Sequence, residues 1–190
     1  DPFRQDPSRQ FFEPDALMTF KDTLQKLAQK EALDKTQMEA AMEEIVAGRA
    51  EDGDIETFLV LLKQKGETAE EIAAAARVMR RHSLSLSKRF PDLLDTCGTG
   101  ADLSRTVNVS TLASLIASAA GIQVAKHGNR AVSGVCGSAD LLEALGVKID
   151  LEPAAIETCL KKTGFAFFFA PRFHPATRFA MPARKRIKEK

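Results

Sequence analysis

Leu94–Asp150, LDTCGTGADLSRTVNVSTLASLIASAAGIQVAKHGNRAVSGVCGSADLLEALGVKID, decides how this 190-residue chain is read. Three loops of small residues punctuate it: Cys97 to Asp102, Lys126 to Arg130, and Ser133 to Ser138. Each adjoins an apolar run, which places each loop at the end of a strand or the start of a helix. Such loops expose backbone N–H groups, which favour anions such as phosphate.

Outward from this stretch, short apolar runs alternate with helical patterns. Strands are expected at Leu93–Asp95, Ile122–Ala125, Val147–Asp150 and Phe165–Ala170. Helices are expected at Val109–Ala120, with Leu112, Leu115, Ile116 and Ala119 as its apolar face, at Ser138–Leu145, and at Pro153–Lys162 with proline in its first turn. Pro175–Lys188 reads as a last helix, interrupted near Pro182. Strand–helix alternation implies a parallel sheet with helices on its faces. Ligands then gather at the carboxyl ends of the strands, where all three loops fall.

Upstream, the period changes to that of helices. Leu17, Phe20, Leu24 and Leu27 make one apolar face from Asp15 onward. Thr36 and Glu39 read as a capping box for a second helix, Asp54 as the cap of a third that stops near Gly66, and Thr68 with Glu71 as the capping box of a fourth. Residues 1–13 read as a poorly ordered lead-in. The fold class is therefore α/β: a small all-α helical domain, 15–85, joined by the 175–190 helix, and a truncated parallel α/β domain, 92–174.

The net charge of +1 gives no general attraction to nucleic acid or membrane. Seven Lys/Arg lie within 171–190, against Glu189. They read as a solvated helix end or, alternatively, as a nucleic-acid patch. Cys97, Cys136 and Cys159 form no CxxC pair, which excludes a zinc ribbon or disulfide scaffold and fits a reducing, cytoplasmic compartment. Cys97 and Cys136 read as small buried fillers. No apolar run approaches the ~20 residues of a membrane span.

In the first loop, Gly98 and Gly100 permit close backbone approach to an anion. Asn108, Ser110 and Thr111 open the next helix, whose first-turn N–H groups add to an anion pocket. Asp102 would approach phosphate only through a bridging Mg²⁺. Lys126 is a point charge at a strand end; Arg130 is either a second phosphate ligand or an ion-pair partner within the fold. Ser138 is a helix cap or a phosphate ligand. His127 and His174 read singly as packing or hydrogen-bonding residues. No Ser-His-Asp or Cys-His arrangement is discernible.

The order of these segments, rather than any one of them, resembles the anthranilate phosphoribosyltransferase family. The carrying residues are Lys65-Gly66-Glu67-Thr68, Gly98-Thr99-Gly100 with Asp102, and Asn108-Val109-Ser110-Thr111. They continue with Lys126-His127-Gly128-Asn129-Arg130, Gly137–Gly146, and Phe169-Ala170-Pro171 with His174-Pro175-Ala176. The resemblance runs from about Phe20 to the end of the chain. It implies the fold type of nucleoside phosphorylases and phosphoribosyltransferases, usually a homodimer paired through the helical domains. It implies a glycosyltransferase of tryptophan biosynthesis, which joins anthranilate to 5-phosphoribosyl 1-pyrophosphate with Mg²⁺ and releases pyrophosphate. By position, Gly98, Thr99, Asp102, Asn108, Ser110, Thr111, Lys126 and Ser138 would hold the phosphoribosyl donor, with Ser110 at a metal. Gly98, His127, Asn129, His174 and Arg184 would line the anthranilate side. No general acid or base is implied. The chain departs from the family at Ala101, where a glycine is usual, and at Val135-Cys136, where Lys-Ser is usual. Lys190 falls near the middle of the family's usual length, and the family's acidic metal-binding pair would lie beyond it. The alternative is a non-catalytic relative that binds phosphorylated ligands or nucleic acid.

Overall fold

The computed structural model describes residues 18–98, 107–131 and 136–187. Two bodies of structure are built in sequence: a four-helix unit, then a two-stranded parallel sheet flanked by helices.

Helix α1 (Phe20–Ala28) is opened by Thr19, which accepts from the Asp22 N–H while the Asp22 carboxylate accepts from the Thr19 N–H. The expected earlier start, at Asp15, lies outside the described residues. Helix α2 (Lys35–Val46) begins before the expected Thr36 box, because Asp34 and Gln37 make the reciprocal cap. Glu39 is released to pair with Arg77 and Arg81. Helix α3 (Asp52–Lys65) starts ahead of Asp54, behind Glu51, with no side-chain cap. Its acidic first turn and its basic last turn complement the dipole, and Gly66 ends it at φ 85°. Helix α4 (Ala69–Arg81) has the expected Thr68–Glu71 box.

Glu71 does more than cap. It is wholly buried, and its carboxylate accepts from the Leu33 N–H at 2.8 Å, the Thr68 N–H at 2.7 Å and Lys65 Nζ at 2.8 Å. One carboxylate thus ties the end of α3 and the start of α4 to the α1–α2 connection. Burial pushes its carboxyl up, but the Lys65 ammonium and the N–H donors outweigh this and hold it below the usual range. Leu27, Leu33, Met38, Ala41, Ile45, Ile55, Phe58 and Ala74 fill the space between the helices.

Helix α5 (Val109–Ala119) leads into β1 (Val124–Gly128), and α6 (Ser138–Ala144) and α7 (Pro153–Thr163) precede β2 (Phe165–Phe169). The strands pair in parallel, from Val124 opposite Phe165 to Gly128 opposite Phe169. The expected first strand is a single parallel bridge, Leu94 to Val124. The expected strand Val147–Asp150 does not form; Ile149 packs with Ala139, Leu142 and Phe167 instead, and Asp150 pairs with Arg172. The FAFFF run serves two faces. Phe167 packs against α6, whereas Ala166 packs with Ile156 and Leu160 of α7, as a strand's alternation requires.

Helix α5 buries Thr111 and Ser114, while Leu112 and Ile116 are exposed. Of its apolar residues, Leu115 packs against the cluster of Ala139, Leu142, Ile149 and Phe167.

After β2 and a short α8 (Ala170–Phe173), the last helical stretch is interrupted near Pro182 as expected: a 3-10 turn, Pro175–Phe179, precedes α9 (Met181–Arg186). The break falls at Ala180, because Pro182 is in the first turn of α9, where its missing N–H costs nothing. Ala176 packs with Val46 and Val78, and Ala183 joins the bundle core. The chain therefore returns from the sheet to the helical unit. No helix among the described residues is long and apolar enough to cross a membrane.

Replacing Glu71 by Ala leaves Lys65 and two N–H groups buried without their acceptor. The expected loss is about 3–5 kcal/mol of stability, to be read as a lower urea midpoint in far-UV circular dichroism.

Candidate functional site

The carboxyl end of β1 is where the predicted residues converge. Lys126 is 1% exposed. Its Nζ donates to Thr96 O at 3.4 Å and to Ser110 Oγ at 3.3 Å, both neutral acceptors and both long contacts. Thr96 in turn donates its hydroxyl to Ser110 O at 2.8 Å, which fixes the first turn of α5 against the loop after Leu94. A cation buried among neutral oxygens, with no carboxylate beside it among the described residues, is arranged to receive an anion.

Other groups point the same way. Thr111 Oγ1 is buried without a hydrogen-bond partner among the described residues. Asn108, at the N-cap of α5, makes no cap bond; its Nδ2 donates to Gly137 O at 3.3 Å. That bond joins the start of α5 to the start of α6. Ser138 is the first residue of α6, not its cap, which is Gly137. Asp140 accepts from the Gly137 and Ala131 N–H groups and closes the loop between them. Gly137 cannot be larger: a Cβ there would lie 2.4 Å from Ala131 N. Gly128 is confined likewise, by Phe167 and by Ser138 Oγ, each 2.8 Å from a Cβ.

Arg130 is an ion-pair partner. It binds Asp140 at 3.0 Å and Glu143 at 2.8 Å, so its charge is satisfied within the fold. Cys97 and Cys136 are exposed at the loops, contrary to the expectation of buried fillers, because both sit beside Gly turns rather than under a helix. Gly98 is exposed. Thr99, Asp102, Ala101 and Val135 lie outside the described residues.

A second cluster lies beside the first. His127 and His174 stack with ring centroids 5.2 Å apart, and Phe168 and Phe173 wall them in. His127 Nε2 and His174 Nδ1 are buried without partners among the described residues. Burial holds the His127 imidazole below its usual 6.5, and the neighbouring His174 and Lys126 push the same way against Asp95. Asp95 anchors the loop below by accepting from the Cys97 and His127 N–H groups. A pocket of about 520 Å³ opens here. Asn129, His174 and Arg184 supply its polar wall, with Ala170, Pro171, Pro175, Thr177, Arg178 and Met181. The pocket brings together three of the five residues expected on the acceptor side; His127 reaches it only through His174.

Thr96, Asp95 and Arg178 were missed in the sequence. The first two carry no motif beyond preceding the Gly loop, and Arg178 merges into the basic tail. Two members of that tail are held by the fold: Arg172 pairs with Asp150 and Glu152, and Arg186 with Glu56 and Asp52. Among the described residues no group of three His, Cys, Asp or Glu could hold a metal. Oxygen donors at the anion pocket are the hydroxyls of Ser110 and Thr111.

Residues 90–190 match the family described as "Glycosyl transferase family, a/b domain", and residues 21–83 match its helical bundle domain. The chain belongs to this family. Among similar members, the anthranilate phosphoribosyltransferase of Alkaliphilus metalliredigens is 47% identical over 86% of this chain and 48% of its own length. That of Chloroflexus aurantiacus is 53% identical over 81% of this chain and 46% of its own length. The crystal structure of the Thermus thermophilus enzyme superposes with a TM-score of 0.76 at 40% identity, covering 89% of this chain and 51% of that one. The Saccharomyces cerevisiae enzyme, in complex with PRPP and Mg, superposes with a TM-score of 0.82 at 27% identity, covering 92% and 53%. The chain thus spans about half the length of the curated family members it matches, and its helical and α/β units both have counterparts there.

A lowered His127 pKa has a definite sign. Above pH 6.5 the ring is neutral in both states; below it the unfolded chain takes up the proton first. Stability is therefore full above that value and is lost as pH falls through the lowered one. Urea midpoints between pH 7.5 and 5 should fall for the native chain and fall less for His127→Asn.

Proposed function

We propose that this chain supplies the substrate-binding face of an anthranilate phosphoribosyltransferase. The reaction transfers the phosphoribosyl group of 5-phosphoribosyl 1-pyrophosphate to anthranilate, a step of tryptophan biosynthesis. The observation that carries the reading is Lys126, a buried ammonium whose acceptors among the described residues are neutral, beside a pocket walled by Asn129, His174 and Arg184. One subsite is built for a polyanion and the adjoining one for a flat acid, as the two substrates require.

In this reading the anthranilate amine attacks the anomeric carbon. The new C–N bond forms as the C–O bond to pyrophosphate breaks, and the amine proton leaves to solvent. Positive charge grows on the ribose and negative charge on the leaving group. Lys126, Ser110, Thr111 and the α5 N-terminus stabilise the latter, aided by Asn108, Ser138 and the first loop with Gly98, Thr99 and Asp102. Arg184 holds the anthranilate carboxylate, with Asn129, His127, His174 and Gly98 lining the ring. The nucleophile is already an amine, so alignment rather than a strong base is the main requirement.

Mg²⁺ is the cofactor of this reading. The hydroxyls of Ser110 and Thr111, with Thr111 Oγ1 unpartnered among the described residues, fit a hard cation that takes most of its ligands from phosphate oxygens and water. Bound there, it would neutralise the charge that develops on pyrophosphate. Pairing of two copies through the helical unit and a cytoplasmic location belong to the same proposal. The consumption of Arg172 and Arg186 by ion pairs disfavours the nucleic-acid alternative.

The full-length gene product, mixed with anthranilate, the donor and Mg²⁺, should quench anthranilate fluorescence. Lys126→Ala should weaken donor binding by roughly ten- to hundredfold, the worth of a hydrogen bond to a charged group, as read by titration calorimetry. Absence of both turnover and donor binding in the unaltered protein would sink the reading.

A further inference from the structure

Two arginines line the 520 Å³ pocket, Arg178 and Arg184. No Asp or Glu lines it among the described residues, and neither arginine makes an ion pair with one. Arg184 is half-buried, and among the described residues its guanidinium donates to Met181 Sδ, at 4.0 Å. Arg178 is exposed, yet it is held: its guanidinium lies 4.7 Å over the ring of Phe179. A cation stacked on an aromatic face keeps its N–H edge available while losing conformational freedom.

Phe179 is itself held by the helical unit. Gly48, two residues past α2, has φ +71°, and a Cβ there would lie 2.6 Å from the Phe179 ring. Only glycine lets the ring seat against that turn. A chain of contacts therefore runs from the bundle, through Gly48 and Phe179, to a charge at the pocket's solvent side.

We infer that Arg178 is a second carboxylate-collecting group of this pocket, which draws aromatic acids in from solvent toward Arg184 and selects against neutral analogues. This deepens the proposed acceptor site and rests on it. A like-charged pair with no acid between them attracts an anion more than either would alone, and a rim charge acts mainly on association and its salt dependence. Phe179 is the positioning residue.

The test is direct binding to the full-length protein, by stopped-flow or competition with anthranilate fluorescence, at low and high salt. The probes are anthranilate, benzoate, which lacks the amine, and aniline, which lacks the carboxylate. The unaltered protein should bind both acids in preference to aniline, with affinity falling as salt rises. Arg178→Gln should weaken both acids by about three- to tenfold at low salt, an amount set by one partly exposed charge, and should flatten the salt dependence. Phe179→Leu should reproduce part of that loss, and adding it to Arg178→Gln should cost little more. Unchanged affinity and salt dependence in Arg178→Gln would overturn the inference, as would equal binding of aniline and benzoate. Binding of benzoate that depends on Arg178, without turnover of anthranilate, would uphold this inference while removing the proposed reaction.

Discussion

The arrangement around β1 follows from one constraint: an ammonium buried at the end of a parallel strand. Lys126 cannot turn to solvent, and the described protein offers it a carbonyl and a hydroxyl rather than a carboxylate. A buried charge that is solvated but not neutralised is costly to the apo-fold. The loops around it are accordingly pinned by other means. Thr96 ties α5 to the first loop, Asn108 ties α5 to α6, and Asp140 closes the third loop with Arg130 and two N–H groups. Two glycines, Gly128 and Gly137, are needed because there is no volume for a methyl group where these segments meet.

The helical unit is held by a comparable device of opposite character. Glu71 is buried, but its ionic partner is buried with it, and its remaining acceptor sites are filled by N–H groups. This node is structural, and it is complete without a ligand. The contrast between the two buried charges separates scaffold from site: Glu71 has a counter-ion, and Lys126 has none among the described residues. The chain then couples the two units by returning Ala176 and Ala183 into the bundle. That return path carries His174, Arg178 and Arg184 to the same pocket.

Much of the local structure was legible because it depends on near neighbours. The Thr68–Glu71 box, the Gly66 stop and the β2 segment lie where the pattern puts them, whereas β1 starts two residues later than expected and runs on through Lys126, His127 and Gly128, which read as a loop. Misreadings have a common cause. Thr36–Glu39 satisfies the capping pattern as well as Asp34–Gln37 does, but Glu39 finds stronger partners in Arg77 and Arg81, which only the α2–α4 contact supplies. Val147–Asp150 alternates like a strand, yet it has no neighbouring strand to pair with among the described residues. Helix α5 reads as apolar, yet its fully buried residues are Thr111 and Ser114, because that side meets β1.

The sequence by itself determined the helices, the FAFFF strand and the family resemblance, since each rests on residue order and short-range sterics. Tertiary structure alone decided which of the charged groups have partners. Arg130 and Lys126 flank the same three residues, and nothing in their spacing separates them. Folding brings Asp140 and Glu143 to Arg130 and, among the described residues, gives Lys126 two neutral oxygens, because the one lies against α6 and the other is buried at the strand's end.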